Sequence, residues 1–389
     1  MSASVRTKHA FATGLAVVMT GGGLAAVAAP ATAATESVTY SCTAPGETPF
    51  DLSVIADSNA PAKMYVGDSV TPVITAVSAL PGSLAQARQV LGAESFDGTV
   101  VANGALNGTT VPVSQTIPNT PLGDQTTPTN VPFTASGPAP LPLKPGAPGD
   151  LVLTAGDFDA TFNFKAGDGT TVVDTIAAAC KAPPGKAPVV DTIVVVSKSS
   201  TALTLSPAKA GYGAKVTATA KVTTQGGTPD GDVTFVVGGV STKVPVKDGA
   251  ASLVIDEAVV GTHAVGATFT PKDATHYEGS SATPATLKAS KAATSTRVKI
   301  TGKRVRERTA AAIKVVGINK TVPTGKVKLV LRKAGNRGFH KAKRGTLAKG
   351  VRAFNLGRLG KGRYKVVVKY LGDANHLRSK TIKRFRVRR

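Results

Sequence analysis

Tryptophan is absent from these 389 residues, and aromatic side chains of every kind make up 5% of them. A platform on which nucleotide bases stack has little to be built from. Cysteine occurs twice, at Cys42 and Cys180, which excludes a cysteine-rich zinc or iron–sulfur centre. There is no H-E-x-x-H, no G-x-S-x-G and no Walker-type phosphate loop, so the common hydrolase and nucleotide-binding motifs are missing. Helix-turn-helix, zinc-finger and RNA-binding signatures are missing too. Beyond residue 33 no stretch is long and apolar enough to cross a bilayer as a helix, and no transmembrane segment is expected. The expectation is a protein that is not an enzyme, with no catalytic residues, no cofactor and no metal ligands. Asp157 and Asp159 share one face of a strand, but a complete calcium loop is lacking.

Acidic residues are scarce at one end only. From Arg297 onward there are 30 Lys and Arg against Glu307 and Asp373. The rest of the chain holds 17 basic and 21 acidic residues. The net charge of +24 therefore belongs to the last quarter of the sequence.

What is present is glycine, proline, threonine and valine, a composition that suits strands and tight turns. The N-terminus has a basic start at Arg6, Lys8 and His9, an apolar small-residue run, and Ala31-Thr32-Ala33. That order is read as a cleaved export signal spanning 1–33. In an exported chain the isolated pair Cys42 and Cys180 is expected to form a disulfide. It would close a first module at 35–187, tying the strand SVTYSC to TTVVDTIAAAC. Within it, residues 51–55, 99–101, 150–154 and 161–165 read as strands. Residues 83–91 (SLAQARQVL) read as one helix, with Ser83 as N-cap and Gly92 as its stop. The Pro- and Thr-rich stretch 111–148 reads as an extended edge segment or a mobile excursion. The linker KAPPGKAP (181–188) follows, and TIVVVS then opens a second module, 188–291. A third spans 292–389.

The second and third modules echo each other. GTHAVGATFTPKDATHY (261–277) returns as GRYKVVVKYLGDANHL (362–377). TPDGDVTFVV (228–237) returns as VPTGKVKLVL (322–331). Both offsets are about one hundred residues, the size of one sandwich domain. Asp273 and Asp373 are expected to cap the turns that end these repeats, and His276 and His376 occupy matching turn positions.

These motifs resemble the bacterial immunoglobulin-like repeats of secreted and surface-attached proteins. In that family a G-x-V-T-F strand precedes G-x-Y/H-x-V-x-A-x-Y and G-D-A-N-Y. His263 and Tyr364 fall on its aromatic position. The resemblance implies a fold used in spacers, stalks and adhesive modules, and no catalytic residue. More loosely, the first module resembles an uncharacterised Cys-closed β domain of secreted actinobacterial proteins. The expected fold class is all-β: a disulfide-closed, sandwich-like N-terminal domain followed by two tandem immunoglobulin-like β-sandwiches.

Alternation of side chains along strands gives the third module a sidedness. Val327, Leu329, Leu331, Tyr364, Val366, Val368, Tyr370, Phe385 and Val387 face inward. Lys326, Lys328, Arg332, Arg363, Lys365, Lys369, Arg384, Arg386 and Arg388 then face outward, on strands that lie side by side in such a sandwich. Nine cations on one face are a candidate polyanion-binding surface. The loop 333–349 adds Lys341, Lys343 and Arg344. The equivalent positions of the second module, Thr234, Ala264, Gly266 and Thr268, are uncharged. The expected partners are anionic cell-envelope polymers, teichoic-type or acidic glycans, or an anionic lipid surface, with nucleic acid as the runner-up. The expected location is secreted, with non-covalent association to the cell wall. The competing reading is an adhesin or glycan-binding protein whose ligand site lies in the first module. Oligomeric state stays open at this level.

Overall fold

The computed structural model describes residues 36–185 and 187–389. The export-signal segment, 1–33, lies outside the described residues.

The first module contains β1 (Val38–Thr43), β2 (Phe50–Ser58), β3 (Lys63–Tyr65), β4 (Val73–Leu80), α1 (Gly82–Val90), β5 (Ser95–Leu106), β6 (Thr109–Pro121), β7 (Val131–Pro138), β8 (Gly149–Thr154), β9 (Phe158–Lys165), β10 (Val172–Lys181) and β11 (Val189–Val196). Eight of these form one antiparallel ring in the order β5-β6-β7-β4-β2-β1-β10-β9, and β9 pairs back onto β5 to close it. The sandwich-like expectation thus takes the form of a closed barrel. Alternation fills it. In β9 (FDATFNFK) Phe158, Ala160, Phe162 and Phe164 all point inward, and the residues between them do not. Closure leaves no free edge among the eight strands.

Cys42 and Cys180 are bonded to each other and stand directly opposite in the β1–β10 ladder. The expected link between first and last strand of the barrel is present.

Three local expectations change. The helix begins at Gly82 with Pro81 as N-cap, and Ser83 makes no capping bond; Gly82 N–H instead donates to Asn130 Oδ1. Its end is as expected: Gly92 takes φ +91°, and the N–H groups of Gly92 and Ala93 return to the carbonyls of Gln89 and Arg88, a Schellman closure. The Pro-rich stretch 111–148 supplies barrel strands β6 and β7. Prolines 112, 118 and 121 lack the N–H a ladder uses, and the β6–β7 seam is held at a single pair, Thr116 with Ser136. Finally, β11 (VVDTIVVV) does not open the second sandwich. It pairs antiparallel with β8 and parallel with β3, as a flap beside the barrel.

The second module is a sandwich of β12 (Ser199–Ser206), β14 (Val216–Thr224) and β17 (Ala250–Ile255) against a larger sheet. That sheet holds β13 (Lys209–Gly211), β15 (Gly231–Val237), β16 (Val240–Pro245), β18 (Gly261–Pro271), β19 (Ser280–Ser281) and β20 (Ala285–Ser290). The third repeats the plan. β21 (Thr294–Thr301), β22 (Arg308–Gly317) and β25 (Val351–Arg358) face β23 (Lys326–Lys333), β24 (Asn336–Thr346), β26 (Gly362–Tyr370) and β27 (Ser379–Val387). Its core is the expected inward set, with Val327, Leu329, Leu331, Val366 and Val368 fully buried.

The repeated Asp-Ala-x-His turns stand at the joints between modules. Asp273 Oδ1 accepts from Thr275 and His276 N–H, and Asp373 Oδ1 accepts from Asn375 N–H. Each turn also receives the incoming linker through backbone bonds. Ser197 N–H donates to the His276 carbonyl, and Ala292 N–H donates to the Asn375 carbonyl. His276 reaches back to Asp150 of the first module at 3.1 Å. His376 packs edge-on against Tyr212 of the second. The expected capping role is present, and the histidines brace each module on the one before it.

Candidate functional site

The sheet of β24-β23-β26-β27 has one face in the core and one in solvent, and its register decides which cations share a line. Lys328 stands opposite Arg344 on one side and Lys369 on the other, and Lys369 opposite Lys380. Arg332 stands opposite His340 and Lys365, and Lys365 opposite Arg384. These are two cationic rungs running across four strands. They are separated along each strand by four residues, about 13 Å at strand spacing. The rung midway between them is apolar: Ala342, Val330, Val367 and Ile382. Arg363 with Arg386 begins a further cationic line, and Lys326 and Arg378 flank the opposite end.

Eight of the nine expected residues lie in this register. Arg388 lies past the end of the ladder, where its backbone bridges Arg304. Three further cations on the face, Arg344, Arg378 and Lys380, were outside the nine. Arg344 was expected on a loop, 333–349, whereas Asn336–Thr346 is an edge strand on β23 that sets it on the face itself. Alternation across that hairpin was the signal that could have found it. Lys341 and Lys343 on the same strand take the opposite parity. The outer face of the second sheet carries fewer cations, Arg297, Lys299, Arg308, Lys314 and Arg358.

The charges are not neutralised from within. Among the described residues, every Lys or Arg ion pair with a carboxylate involves residues before 279. The two acids of the third module are engaged elsewhere. Glu307 accepts from the Arg304 N–H. Asp373 Oδ2 accepts from the N–H and hydroxyl of Thr324, and the carboxylate also meets His376 Nδ1. Burial alone would raise the Asp373 pKa, but these donors outweigh it and hold it well below the ordinary carboxylate range.

The second module shows the same register with few charges: Lys243, ion-paired to Asp232, stands opposite Thr234, and Lys288 opposite Thr262. Thr234 stands opposite Thr268, and Thr268 opposite Ser281, with their hydroxyls 3.0 Å apart. Ala264 stands opposite Thr286. Position by position, the repeats put Lys328, Lys369, Lys365 and Arg384 where Thr234, Thr268, Ala264 and Thr286 stand.

The first module offers no charged site at its acidic pair. Asp157 is occupied by Lys181 Nζ and the Ala182 N–H.

Residues 39–191 match a family of unknown function, and residues 203–290 match the bacterial Ig-like domain (group 3). No curated protein matches the chain. Among solved structures, the fibronectin(III)-like modules of Clostridium thermocellum CbhA are similar at 16% identity, covering 60% of this chain and 94% of that one, with a TM-score of 0.20. The FN1-FN3 domains of chicken CNTN1 are similar at 10% identity, covering 86% and 98%, also with a TM-score of 0.20. Residues 203–290 thus carry a bacterial Ig-like domain, and a disulfide closes the N-terminal domain that precedes it.

Proposed function

We propose that this is an exported, non-enzymatic surface protein whose third module holds it to anionic polymers of the cell envelope. The barrel and the second module serve as presentation and spacer. The observation that carries the reading is the cation-only face of β24-β23-β26-β27, with no carboxylate partner to quiet it. Like charges set side by side repel one another, and a mere exterior has no need of them when mixed signs keep a surface soluble. A polyanion relieves that repulsion and releases its own counterions on binding. Phosphodiester-bearing or acidic glycan polymers fit better than single-stranded nucleic acid, because the outward rungs contain no Phe, Tyr or Trp on which a base could stack.

The test uses whole cells and the full chain. Replacing Arg363, Lys365, Lys369, Arg384, Arg386 and Arg388 by Gln should release the protein into the medium. Undiminished retention would show that the face does not tether it and would favour an adhesive site in the first module.

A further inference from the structure

The barrel lumen is packed at one end and hollow at the other. At the end covered by α1, Phe96, Phe162 and Phe164 meet Leu80, Leu84 and Leu122 in a filled core. Arg88 of α1 seals it with ion pairs to Glu47 and Asp174. Toward the opposite end several inward positions are short, Ala56, Ala76, Ala102, Gly104 and Ala135, among larger ones such as Leu52, Ile74, Val113 and Phe133. An eight-stranded ring is just wide enough for large side chains to meet across it, or for one small ligand. With these residues the walls do not meet, and a cavity of about 70 Å³ remains. Leu153 of β8 and Val190 of β11 line it from the flap.

Tyr40, Ser78, Gln115 and Thr154 interrupt the apolar wall, and two of them are buried polar residues. Ser78 is buried, and its hydroxyl has no hydrogen-bond partner among the described residues. Gln115 is also buried and donates from Nε2 to the Ile74 carbonyl. A buried hydroxyl left unpaired is unfavourable and calls for a partner. Water is a poor candidate to fill the space. It needs several polar partners, and apolar cavities stay dry and take up apolar molecules.

We propose that the lumen is a binding site for a slender, mostly apolar molecule bearing one hydrogen-bonding oxygen, of the class of short unbranched alkanols. Its chain lies along the alanine wall and its oxygen meets Ser78. The volume is roughly half that of the ~150 Å³ cavity known to admit benzene, so ligands as bulky as benzene, four-carbon alcohols among them, are excluded. This site is independent of the basic face.

The experiment is saturation-transfer NMR on the full chain with its disulfide intact, using ethanol as probe and tert-butanol as the bulky control. Saturable ethanol binding is expected, with tert-butanol at least tenfold weaker. Ser78→Ala should weaken ethanol by about fivefold, the worth of one neutral hydrogen bond. Ala102→Leu should fill the lumen and abolish binding, and Ala76→Val serves as a milder filling if that variant fails to fold. Absence of saturable ethanol binding to the native chain, or undiminished binding in a folded filled variant, would overturn the proposal.

Discussion

Lys328 stands directly opposite Lys369 across the β23–β26 ladder. Arg332 stands opposite Lys365 in the same way, and Lys365 opposite Arg384. Like charges at facing positions on one side of a sheet are destabilising, by about 0.2–1 kcal/mol a pair. The third module therefore folds against the repulsion of its own surface, and its stability should respond to anything that screens or opposes it.

The simplest such agent is salt. Surface repulsion is screened as the Debye length shortens from about 30 Å at 0.01 M to about 8 Å at 0.15 M. The thermal transition of the third module should rise as NaCl is raised from 10 to 150 mM, and Lys369→Glu should raise it at low salt by itself. Scanning calorimetry checks both. A transition insensitive to salt would show the rungs to be too well solvated to interact.

The disulfide makes a second, separate prediction. Cys42 and Cys180 are 138 residues apart in sequence, and closing so long a loop contributes up to about 5 kcal/mol in the chain-entropy account. Replacing both by Ala should lower the denaturant midpoint of the barrel and leave those of the sandwiches in place. Equal loss in all three modules would mean that they unfold as one unit.

At the first joint the prediction concerns pH. Hydrogen bonds to Asp150 and then to Asp273 raise the His276 pKa above its ordinary value. A raised folded pKa stabilises below the unfolded value, near 6.5, and that contribution is lost as pH rises through the folded one. The barrel and second module should hold each other more firmly at pH 5.5 than at pH 8.5. Fluorescence energy transfer between labels on the two modules measures this, and His276→Gln should flatten the profile.

Asp373 titrates in the opposite sense. Its folded pKa is depressed, so its contribution is present above the unfolded carboxylate value, about 3.9, and fades as pH falls toward the folded one. Asp373→Ala should destabilise the third module by roughly 2–3 kcal/mol, because it frees four donors at once, two of them part-buried. Urea denaturation at pH 7 reads the loss, and the variant should be the less acid-sensitive of the two.

The period-two alternation of KVKLVLRK and GRYKVVVKY was enough to sort core from surface in the third module, because burial on one face fixes the register strictly. The echo between 261–277 and 362–377 was enough to give two copies of one fold. Barrel closure was not legible. It depends on β9 meeting β5 across more than fifty intervening residues, and no local pattern marks that pairing. The strand VVDTIVVV looked like the start of a sandwich because it follows a proline-rich linker, yet tertiary pairing with β8 and β3 decided its place. The hollow in the barrel was invisible for a related reason: Ala76, Ala102 and Ala135 are ordinary strand alanines until closure sets them facing one another.

The central claim is that the aligned cations of the third module bind a polymer by charge. It is tested most directly by measuring the affinity of the full chain for a purified phosphodiester wall polymer across 50–500 mM NaCl. The expected result is a linear fall of log affinity with log salt, whose slope shrinks when Lys328, Lys369, Arg332, Lys365 and Arg384 are replaced by Gln. Affinity that stays level across the salt range, or a slope unchanged in that variant, would contradict it.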